Sequence, residues 1–368
     1  MSMKKVIIAD SVRTAWTKPG AGLAPFISSD FSAKILTELL TRTGVEGAAV
    51  DQVVFGQAHP STMPNNIGHY AWLKAELPVE VPGYTVQSCS GSSLQALRSC
   101  YYLIATGNEN VCVAGGADSY SAAPFALRDA RNHFYPQHRT FIDTIEEAEM
   151  CTQPEPMGRL EQYELVHGRQ LSAQAVEFAK QSIAKAQAAD NAAQICPISY
   201  EVRKKGTVTV DQDEWLKNPQ DAEAALAPHA DGAAVAMLMS EEKAQELGLT
   251  PLAQLQGFAV AGCDPKQMQT SGAMAVQKLL ENKGLTMEDI AVVEVIENSA
   301  QDVIDTMTVL GGNAKVNPMG GALAYGKNDG AEGIAMLMRL VNSLEKGQKG
   351  IVCVYSAGGQ GMAALVQK

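Results

Sequence analysis

The sequence predicts an α/β protein built from two similar halves, with a long insertion between them. Short apolar strand-like segments alternate with longer helical segments, an order typical of a largely parallel sheet covered by helices. Residues 94–116 resemble residues 334–359, roughly 240 positions later; each segment has a helix, a glycine stop, a Val-Cys-Val strand and a glycine pair. A spaced duplication of this kind indicates two α/β domains related by a pseudo-twofold axis, with two separate parallel domains as the alternative.

The first half opens with a predicted strand in KKVIIAD and a predicted helix in SDFSAKILTELLTRTG. Ser29 or Asp30 is the expected cap of this helix, because a short polar side chain satisfies the free N–H groups of the first turn. Gly44 is the expected stop, because glycine adopts the left-handed conformation that ends many helices.

The remaining elements follow the same order. VDQVVFGQA predicts a strand, GSSLQALRSCYYLIATG a helix that is apolar on most faces and therefore buried, and NVCVAGGAD a buried strand. The second half is expected to comprise a strand in EDIAVVEVIEN, a long helix in DGAEGIAMLMRLVNSLEKG and a strand entering a glycine turn in KGIVCVYSAGGQG.

Between the halves, residues 119–240 differ from the rest of the chain in composition and in their lack of regular strand patterns. Prolines, scattered charges and few strand signals indicate an irregular insertion, which contains one clear helix in SAQAVEFAKQSIAKAQAA with Ser172 as its cap. Long insertions of this kind usually carry binding functions.

Composition excludes several classes of function. The 368 residues carry a formal net charge of −11, so the surface would on average repel a nucleic-acid backbone. The basic run Arg203-Lys204-Lys205 precedes a glycine and is interpreted as a solvated hairpin turn. Seven cysteines without a C-x-x-C pair predict a reduced cytoplasmic protein without disulfides or a metal site. No apolar stretch approaches the roughly 18 residues of a membrane span, so no membrane insertion is expected.

Residues 85–97, TVQSCSGSSLQAL, form the first candidate site. A strand runs into a turn of small residues and then into a buried helix, whose N–H groups and dipole favour a developing anion. A nucleophile here gains an oxyanion site, and Cys89 and Ser90 are the two possible nucleophiles. The alternative is a plain helix cap whose small residues allow close packing.

Two glycine-containing segments are further candidates. GALAYGKNDG, residues 321–330, resembles a phosphate-binding P-loop, but Asn328 replaces the required Ser or Thr and no buried strand precedes it, so nucleotide binding is not favoured. YSAGGQGMAAL, residues 355–365, ends a strand with a glycine pair. Such a pair lets the backbone approach a ligand closely, or it forms a simple turn.

These segments, in this order, resemble the thiolase family. The similarity extends over most of the chain, through VIIADSVRTAW, the run from GQAHPSTM to SCSGSSLQAL, AGGADSYSAAP, PMGRLEQYELVHGRQ, DGAAVAMLMSEEKAQELGL, GLTMEDIAVVEVIENSA, VNPMGGALAYGKNDGAEG and YSAGGQGMAAL. The resemblance implies a five-layered αβαβα fold of two duplicated halves with an inserted loop domain. The expected boundaries are 1–118 with 241–259 for the first half, 119–240 for the loop domain and 260–368 for the second half.

Members of this family transfer acyl groups of coenzyme A thioesters. A cysteine at a helix start takes the acyl group, a histidine activates it, a second cysteine moves the substrate α-proton, and an Asn-Glu-Ala-Phe motif holds a water or helps bind an oxyanion. Matched position by position, this chain has Ser90 at the nucleophile, Lys327 at the histidine and Tyr355 at the second cysteine. Ile296 stands at the asparagine, whereas Glu297 keeps the glutamate.

The resemblance also indicates where substrate would bind. Pro156 stands where some members have a histidine that faces coenzyme A, and the segment before Asp231 is short, which leaves coenzyme A binding open. The residues expected to line the substrate site are Met157, Gly326, Gly358 and Gly359. No cofactor is expected, with a coenzyme A thioester as a possible substrate.

Two hypotheses follow. In the first, the protein is an acyltransferase in which Ser90 is the nucleophile, a desolvated Lys327 the base and Tyr355 a proton relay. A variant of this hypothesis has Cys89 as the nucleophile after a one-residue shift. In the second, it is an inactive subunit that binds acyl groups or supports an active partner, and Lys327 only neutralises Glu297 or Glu332. A homodimer or higher oligomer, possibly with another thiolase-like subunit, is expected in either case.

Overall fold

The computed structural model describes residues 3–60, 64–127, 141–143, 172–217 and 226–368. The β-strands in these ranges are β1 (Val6–Thr14), β2 (Gln52–Gly56), β3 (Gly83–Val86), β4 (Val111–Asp118), β5 (Phe125–Leu127), β6 (Phe141–Asp143), β7 (Ile195–Cys196), β8 (Ile198–Val202), β9 (Gly206–Val210), β10 (Gly232–Ser240), β11 (Ala253–Gly262), β12 (Val292–Val295), β13 (Lys315–Val316), β14 (Lys349–Ser356) and β15 (Gln360–Gln367). The α-helices are α1 (Ser28–Thr43), α2 (Ile67–Lys74), α3 (Ser92–Ala105), α4 (Ala173–Ala188), α5 (Glu214–Lys217), α6 (Glu241–Glu246), α7 (Thr270–Lys283), α8 (Ala300–Leu310), α9 (Ala322–Tyr325) and α10 (Glu332–Ser343).

The main sheet consists of two halves with the same strand order. The first runs β3-β2-β4-β10-β1 and the second β13-β12-β14-β15-β11. In each half the first three strands are parallel and the last two are antiparallel to their neighbours. The halves join where β1 pairs antiparallel with β11, with Val6 opposite Leu255. This repetition confirms the predicted duplication.

The helices are duplicated as well. Helix α1 ends at Gly44 and α7 ends at Gly284, and both glycines have a φ of 64°. Because glycine has no Cβ, it adopts this left-handed conformation without steric strain, so the two sequence positions specify equivalent helix ends. The predicted stop at Gly44 is thus confirmed. The cap differs, because Ile27 is the N-cap residue and Asp30 lies in the first turn, where its Oδ2 accepts the N–H of Ile27 at 2.9 Å.

Five layers result from the packing of these helices on the sheet. Helices α3 and α10 lie side by side in the middle, in a core that includes Leu94, Leu97, Ile334 and Leu337. Helices α1 and α2 cover the outer face of the first half, and α7 and α8 cover the outer face of the second half. The predicted αβαβα architecture is therefore confirmed, and α3 is buried as expected.

The predicted boundaries of the halves differ from the strand pairing at two places. Strand β10, which was assigned to the insertion, lies between β1 and β4 in the first half. Strand β11, which was mostly assigned to the first half, pairs along its length with β15 in the second half. Both strands are almost entirely apolar, so hydrogen-bonding partners rather than composition decide which half they join.

Parts of the insertion dock on the core. Ser172 caps α4 as predicted, since its side chain accepts the N–H of Ala175. Strands β8 and β9 form a hairpin whose turn contains Arg203-Lys204-Lys205, all exposed, which confirms the predicted solvated turn. Beyond the hairpin, the carboxylate of Asp213 accepts hydrogen bonds from Nη1 and Nη2 of the buried Arg13, each at 2.7 Å. No helix in the described ranges combines the length and apolar character needed to cross a bilayer.

Candidate active site

The turn that leads into α3 places Ser90 at the centre of the molecule. Cys89, directly before it, has a φ of 47°, a left-handed conformation that is strained for a residue with a side chain. Ser92 stabilises the turn, because its hydroxyl donates to the carbonyl of Cys89 at 2.6 Å and accepts the N–H of Ser88 at 2.9 Å. The turn thus fixes the direction of the buried Ser90 side chain.

Ser90 contacts a residue that the sequence analysis did not single out. Its hydroxyl donates to Oδ1 of Asp329 at 2.6 Å. The ammonium group of Lys327 lies 3.5 Å from the same oxygen. The expected pair of Ser90 and Lys327 is therefore brought together around a shared carboxylate oxygen, and all three side chains are largely buried.

The backbone around Lys327 is held by the end of the insertion. The N–H of Lys327 donates to the carbonyl of Pro228 at 2.6 Å, and its carbonyl accepts the N–H of Ala230 at 2.9 Å. Gly326 has a φ of 88°, and a Cβ there would lie 2.5 Å from the Trp215 ring. Glycine is therefore required at this position by both conformation and space.

Asn328, at the family's proline position, ties this loop to the first half. Its amide donates to the carbonyls of Asp118 at 2.9 Å and Ala230 at 2.7 Å, and its Oδ1 accepts the N–H of Asp118 at 3.1 Å. Because all three contacts are buried, the side chain fixes the separation between the end of β4 and the start of α10.

The second oxygen of Asp329 is held by groups from the first half. The hydroxyl of Tyr120 donates to Oδ2 at 2.7 Å, and Nε2 of His59 lies 3.5 Å from the same atom. The Tyr120 ring also stacks on His229, with ring centroids 4.3 Å apart. Asp329 thus has one oxygen facing Ser90 and Lys327, and the other facing His59 and Tyr120.

These contacts set the charge of the site. Burial opposes ionisation of Asp329, but the charge of Lys327, the hydrogen bond from His59 and the charges of His59 and His229 outweigh it and hold the pKa of Asp329 well below its usual range. Burial also lowers the pKa of His59, yet the hydrogen bond to Asp329 and the charges of Asp118 and Asp329 raise it overall. Asp329 is therefore an anion, and the contact with it favours the protonated form of His59.

Two neighbouring groups titrate differently. Burial raises the pKa of Asp118 to about 7, although His59 partly offsets this effect. The carboxylate of Asp118 accepts the N–H groups of Gly330 at 2.7 Å and His59 at 3.0 Å. Burial and the charges of Asp329 and Asp118 raise the pKa of the Cys89 thiol, which disfavours the thiolate that a cysteine nucleophile needs.

Glu297 lies in a closed network of its own. Its carboxylate accepts hydrogen bonds from Ser182 at 2.9 Å, Asn317 at 2.7 Å and the N–H of Leu323 at 3.0 Å. A Cβ at Gly321 would lie 2.6 Å from one of its oxygens. Glu297 therefore anchors the short helix α9, which leads to Gly326 and Lys327, and its catalytic role stays a prediction.

The structure places the remaining predicted residues as follows. The hydroxyl of Tyr355 donates to the carboxylate of Asp302 on α8. Gly358 and Gly359, with φ of 81° and 75°, form the turn between β14 and β15, where Gly359 accepts the N–H of Cys263 at 2.8 Å. Met157 lies outside the described residues. The roles assigned to these residues stay predictions.

Sequence reasoning missed Asp329, His59 and Tyr120. A signal for Asp329 was present, because Cys89 and Asp329 stand three residues before the starts of α3 and α10 in the two repeated halves. The duplication places these two helix starts next to each other, since a Cβ on Gly333 of α10 would lie 2.8 Å from the backbone N of Leu94 on α3. His59 and Tyr120 follow β2 and β4, neighbouring parallel strands whose carboxyl ends meet at one edge.

Fold and site together define a class of protein: thiolase-like αβαβα proteins, in which two copies of one mixed sheet enclose paired helices with reactive groups at their starts. A model for "Thiolase, N-terminal domain" matches residues 6–242, and one for "Thiolase, C-terminal domain" matches residues 249–368. Because these matches cover nearly the whole chain, the protein belongs to the thiolase family.

Known proteins agree with this assignment. An acetyl-CoA acetyltransferase of Chromobacterium violaceum is 31% identical over 403 residues, which cover 99% of this chain and 100% of that protein. An acetyl-CoA acetyltransferase of Cupriavidus necator is 31% identical over 399 residues, and the alignment covers 100% of each chain. The crystal structure of the Bacillus anthracis acetyl-CoA acetyltransferase has a TM-score of 0.91, with 30% identity and 99% of each chain covered.

Proposed function

We propose that the protein is an acyltransferase that accepts an acyl group from an acyl-CoA or another acyl thioester on Ser90. Membership in the family and the full-length similarity to acetyl-CoA acetyltransferases support the class of reaction. The observation that carries the proposal is the hydrogen bond from Ser90 to Asp329 Oδ1, beside the ammonium group of Lys327. A serine at a helix start, bonded to a buried carboxylate, has the elements of an activated nucleophile.

In the proposed reaction, Oγ of Ser90 attacks the thioester carbonyl carbon and its proton passes to Asp329 Oδ1. The N–H groups at the start of α3 stabilise the negative charge that develops on the carbonyl oxygen. The C–S bond then breaks, and the departing thiolate takes a proton from Lys327. Asp329 returns the Ser90 proton to Lys327, which therefore acts on Ser90 through Asp329, and the acyl ester is left for an acceptor.

The other predicted residues keep supporting roles in this proposal. Tyr355 is the proton relay, with Asp302 as the carboxylate that its hydroxyl already contacts. Glu297 holds α9, and thereby the loop that carries Lys327. Gly358 and Gly359 form the glycine turn close to a cavity of about 350 Å³, whose lining includes Ser88, Gly91, Ser356 and Gly361. A cavity of this size between the two motif turns suits an acyl group or part of its carrier.

Intact-protein mass spectrometry tests the proposal. The protein is incubated with acetyl-CoA and, separately, with an activated acetyl ester, and the mass is measured before and after hydroxylamine treatment. We expect one acetyl group per chain, absent in Ser90→Ala and retained in the neighbouring variant Cys89→Ala. An adduct that is lost in Cys89→Ala and kept in Ser90→Ala would move the nucleophile to Cys89. Absence of an adduct with either donor contradicts acyl transfer on this chain.

A second candidate function is favoured by one observation. Asp329 has a pKa well below its usual range, so in the resting state it is a weak acceptor for the Ser90 proton. A subunit that binds acyl-CoA without reacting with it would have such a site. Calorimetry that shows acetyl-CoA binding, together with the absence of an adduct, would support this alternative over acyl transfer.

We also propose that the protein is a cytoplasmic dimer, either of identical chains or with another thiolase-like subunit, and that it uses no cofactor other than the coenzyme A thioester as substrate. Strands β3 and β13 form the two outer edges of the main sheet within the described ranges, and an open edge can pair with another strand. Six cysteines of the described residues are free, as in a reducing compartment. Light scattering after size-exclusion chromatography measures the oligomeric state.

A further inference from the structure

His59 is a buried imidazole that the proposed reaction does not yet use. Its side chain is 7% exposed, and its Nε2 lies 3.5 Å from Asp329 Oδ2. Its backbone N–H donates to Asp118 Oδ1 at 3.0 Å, which fixes the residue at the end of β2. Its Nδ1 is buried and has no hydrogen-bond partner within the described ranges. One ring nitrogen is therefore committed to Asp329.

The groups that face this imidazole come from three parts of the fold. The end of β4 contributes Asp118, and the segment after it contributes Tyr120, whose ring centroid is 4.9 Å from that of His59. The loop before α10 contributes Asp329 and Lys327, and His229 lies behind Tyr120. When His59 is protonated, two cationic side chains flank Asp329, one at each oxygen.

We infer that His59 is a positioning residue of the acyl transfer that acts on Ser90 through Asp329, and that its protonation state decides whether Asp329 can accept the Ser90 proton. This inference rests on the proposed function. An imidazolium at Oδ2 and the ammonium at Oδ1 together stabilise the carboxylate and make it a poor proton acceptor. Loss of the imidazolium proton removes one of these charges, so Oδ1 becomes more basic while Lys327 remains charged.

The order of the three side chains differs from that of a serine-histidine-aspartate triad. There the histidine contacts the serine and the aspartate orients the histidine. Here the aspartate contacts the serine at 2.6 Å, and the histidine lies on the far oxygen. The histidine therefore changes the strength of the acceptor rather than taking the proton from the serine directly.

The direction of the pH dependence follows from the surroundings of His59. The hydrogen bond to Asp329 and the two carboxylate charges outweigh burial, so the pKa of His59 lies above its ordinary value of 6.5. Acylation of Ser90 should therefore increase about tenfold per pH unit below that pKa and level off above it. Tyr120 stays neutral across this range, because burial and the nearby carboxylates raise its pKa well above the usual value.

The first test measures the rate of acetyl adduct formation on Ser90 between pH 5 and 9. His59→Gln keeps a neutral donor near Oδ2 of Asp329. We therefore expect the rise of the acetylation rate with pH to disappear, and the variant to react faster than the wild-type protein at low pH. His69→Gln, on α2 in the outer layer, should keep the rise. The same rise in His59→Gln as in the unmodified protein would overturn the inference while leaving acyl transfer itself intact.

The second test does not require turnover. An NMR titration follows the His59 imidazole in the unmodified protein and in Asp329→Asn, and we expect a lower pKa for His59 in the variant because the facing carboxylate has been removed. An unchanged His59 titration contradicts the coupling. If the coupling is present but no adduct forms at any pH, the acyl-transfer proposal fails, and the role of His59 in that reaction fails with it.

Discussion

The hydroxyl of Ser90 lies 2.6 Å from Oδ1 of Asp329, although the two residues are 239 positions apart in the sequence. Each precedes one of the two central helices, α3 and α10, and each belongs to one of the duplicated halves. The pseudo-twofold arrangement therefore assembles the site from the two turns that precede the equivalent helices. Asp329 is in direct contact with the candidate nucleophile.

Asp329→Asn should slow acetylation of Ser90 strongly. The amide has nearly the same shape as the carboxylate but cannot accept the Ser90 proton, and proton transfer by a positioned group contributes about 10²–10⁴-fold to a rate. The rate of adduct formation, followed by mass spectrometry at pH 8, measures the effect. Asp211→Asn, at an exposed position, serves as the control and should be acetylated at the same rate as the wild-type protein. Equal rates for both variants would remove Asp329 from the mechanism.

Asn328→Ala should destabilise the fold. The change leaves the N–H and carbonyl of Asp118 and the carbonyl of Ala230 without their buried partner, at a cost of about 1–3 kcal/mol for each unsatisfied group that water cannot reach. Urea unfolding measures the loss. The exposed Asn108→Ala should change the free energy of unfolding by less than about 0.5 kcal/mol. A loss no larger than that of Asn108→Ala would mean that the three contacts do not stabilise the loop.

Asp213→Ala should reduce the stability of the fold more than replacement of both members of its ion pair. The single change leaves the buried Arg13 guanidinium without a countercharge, which costs about 3–5 kcal/mol. The double variant Arg13→Met with Asp213→Leu removes both charges and should recover part of that loss. Thermal and urea unfolding of the three proteins measure the difference. A double variant less stable than Asp213→Ala would show that the hydrogen bonds, and not the unpaired charge, dominate.

Glu294→Gln should reduce the pH dependence of stability. Burial raises the pKa of Glu294 to about 8, despite the nearby Arg339, whereas the ordinary value of 4.5 applies to the unfolded chain. The folded protein therefore holds a proton on this group that the unfolded chain releases, so the contribution to stability is complete below pH 4.5 and is lost as the pH rises towards about 8.

The check compares the free energy of unfolding at pH 5 and pH 8. The decrease between the two values should be smaller in Glu294→Gln than in the unmodified protein, because glutamine does not titrate. Glu345→Gln, at an exposed position, should retain the full decrease. An identical decrease in all three proteins would show that Glu294 is already ionised at neutral pH in the folded state.

Much of the fold could be predicted from local patterns. The strand in KKVIIAD, the buried helix that starts at Ser92 and the Gly44 stop each depend on apolar periodicity or on the conformational freedom of glycine, which act over a few residues. The assignment of β10 and β11 to the two halves could not be predicted in this way. Both are mostly apolar, and only their hydrogen-bonding neighbours distinguish them.

The sequence by itself indicated two duplicated α/β halves, because helix and strand periodicity are local properties. The resemblance of its motifs to the thiolase family implied the αβαβα layers and the candidate nucleophile Ser90. Only the tertiary structure decided what surrounds Ser90. Lys327 and Asp329 come from the loop before α10, whereas His59 and Tyr120 follow β2 and β4. These residues meet because the two halves pack the starts of their central helices against each other. Their charges depend on burial and mutual distance, and neither quantity is defined until the chain has folded.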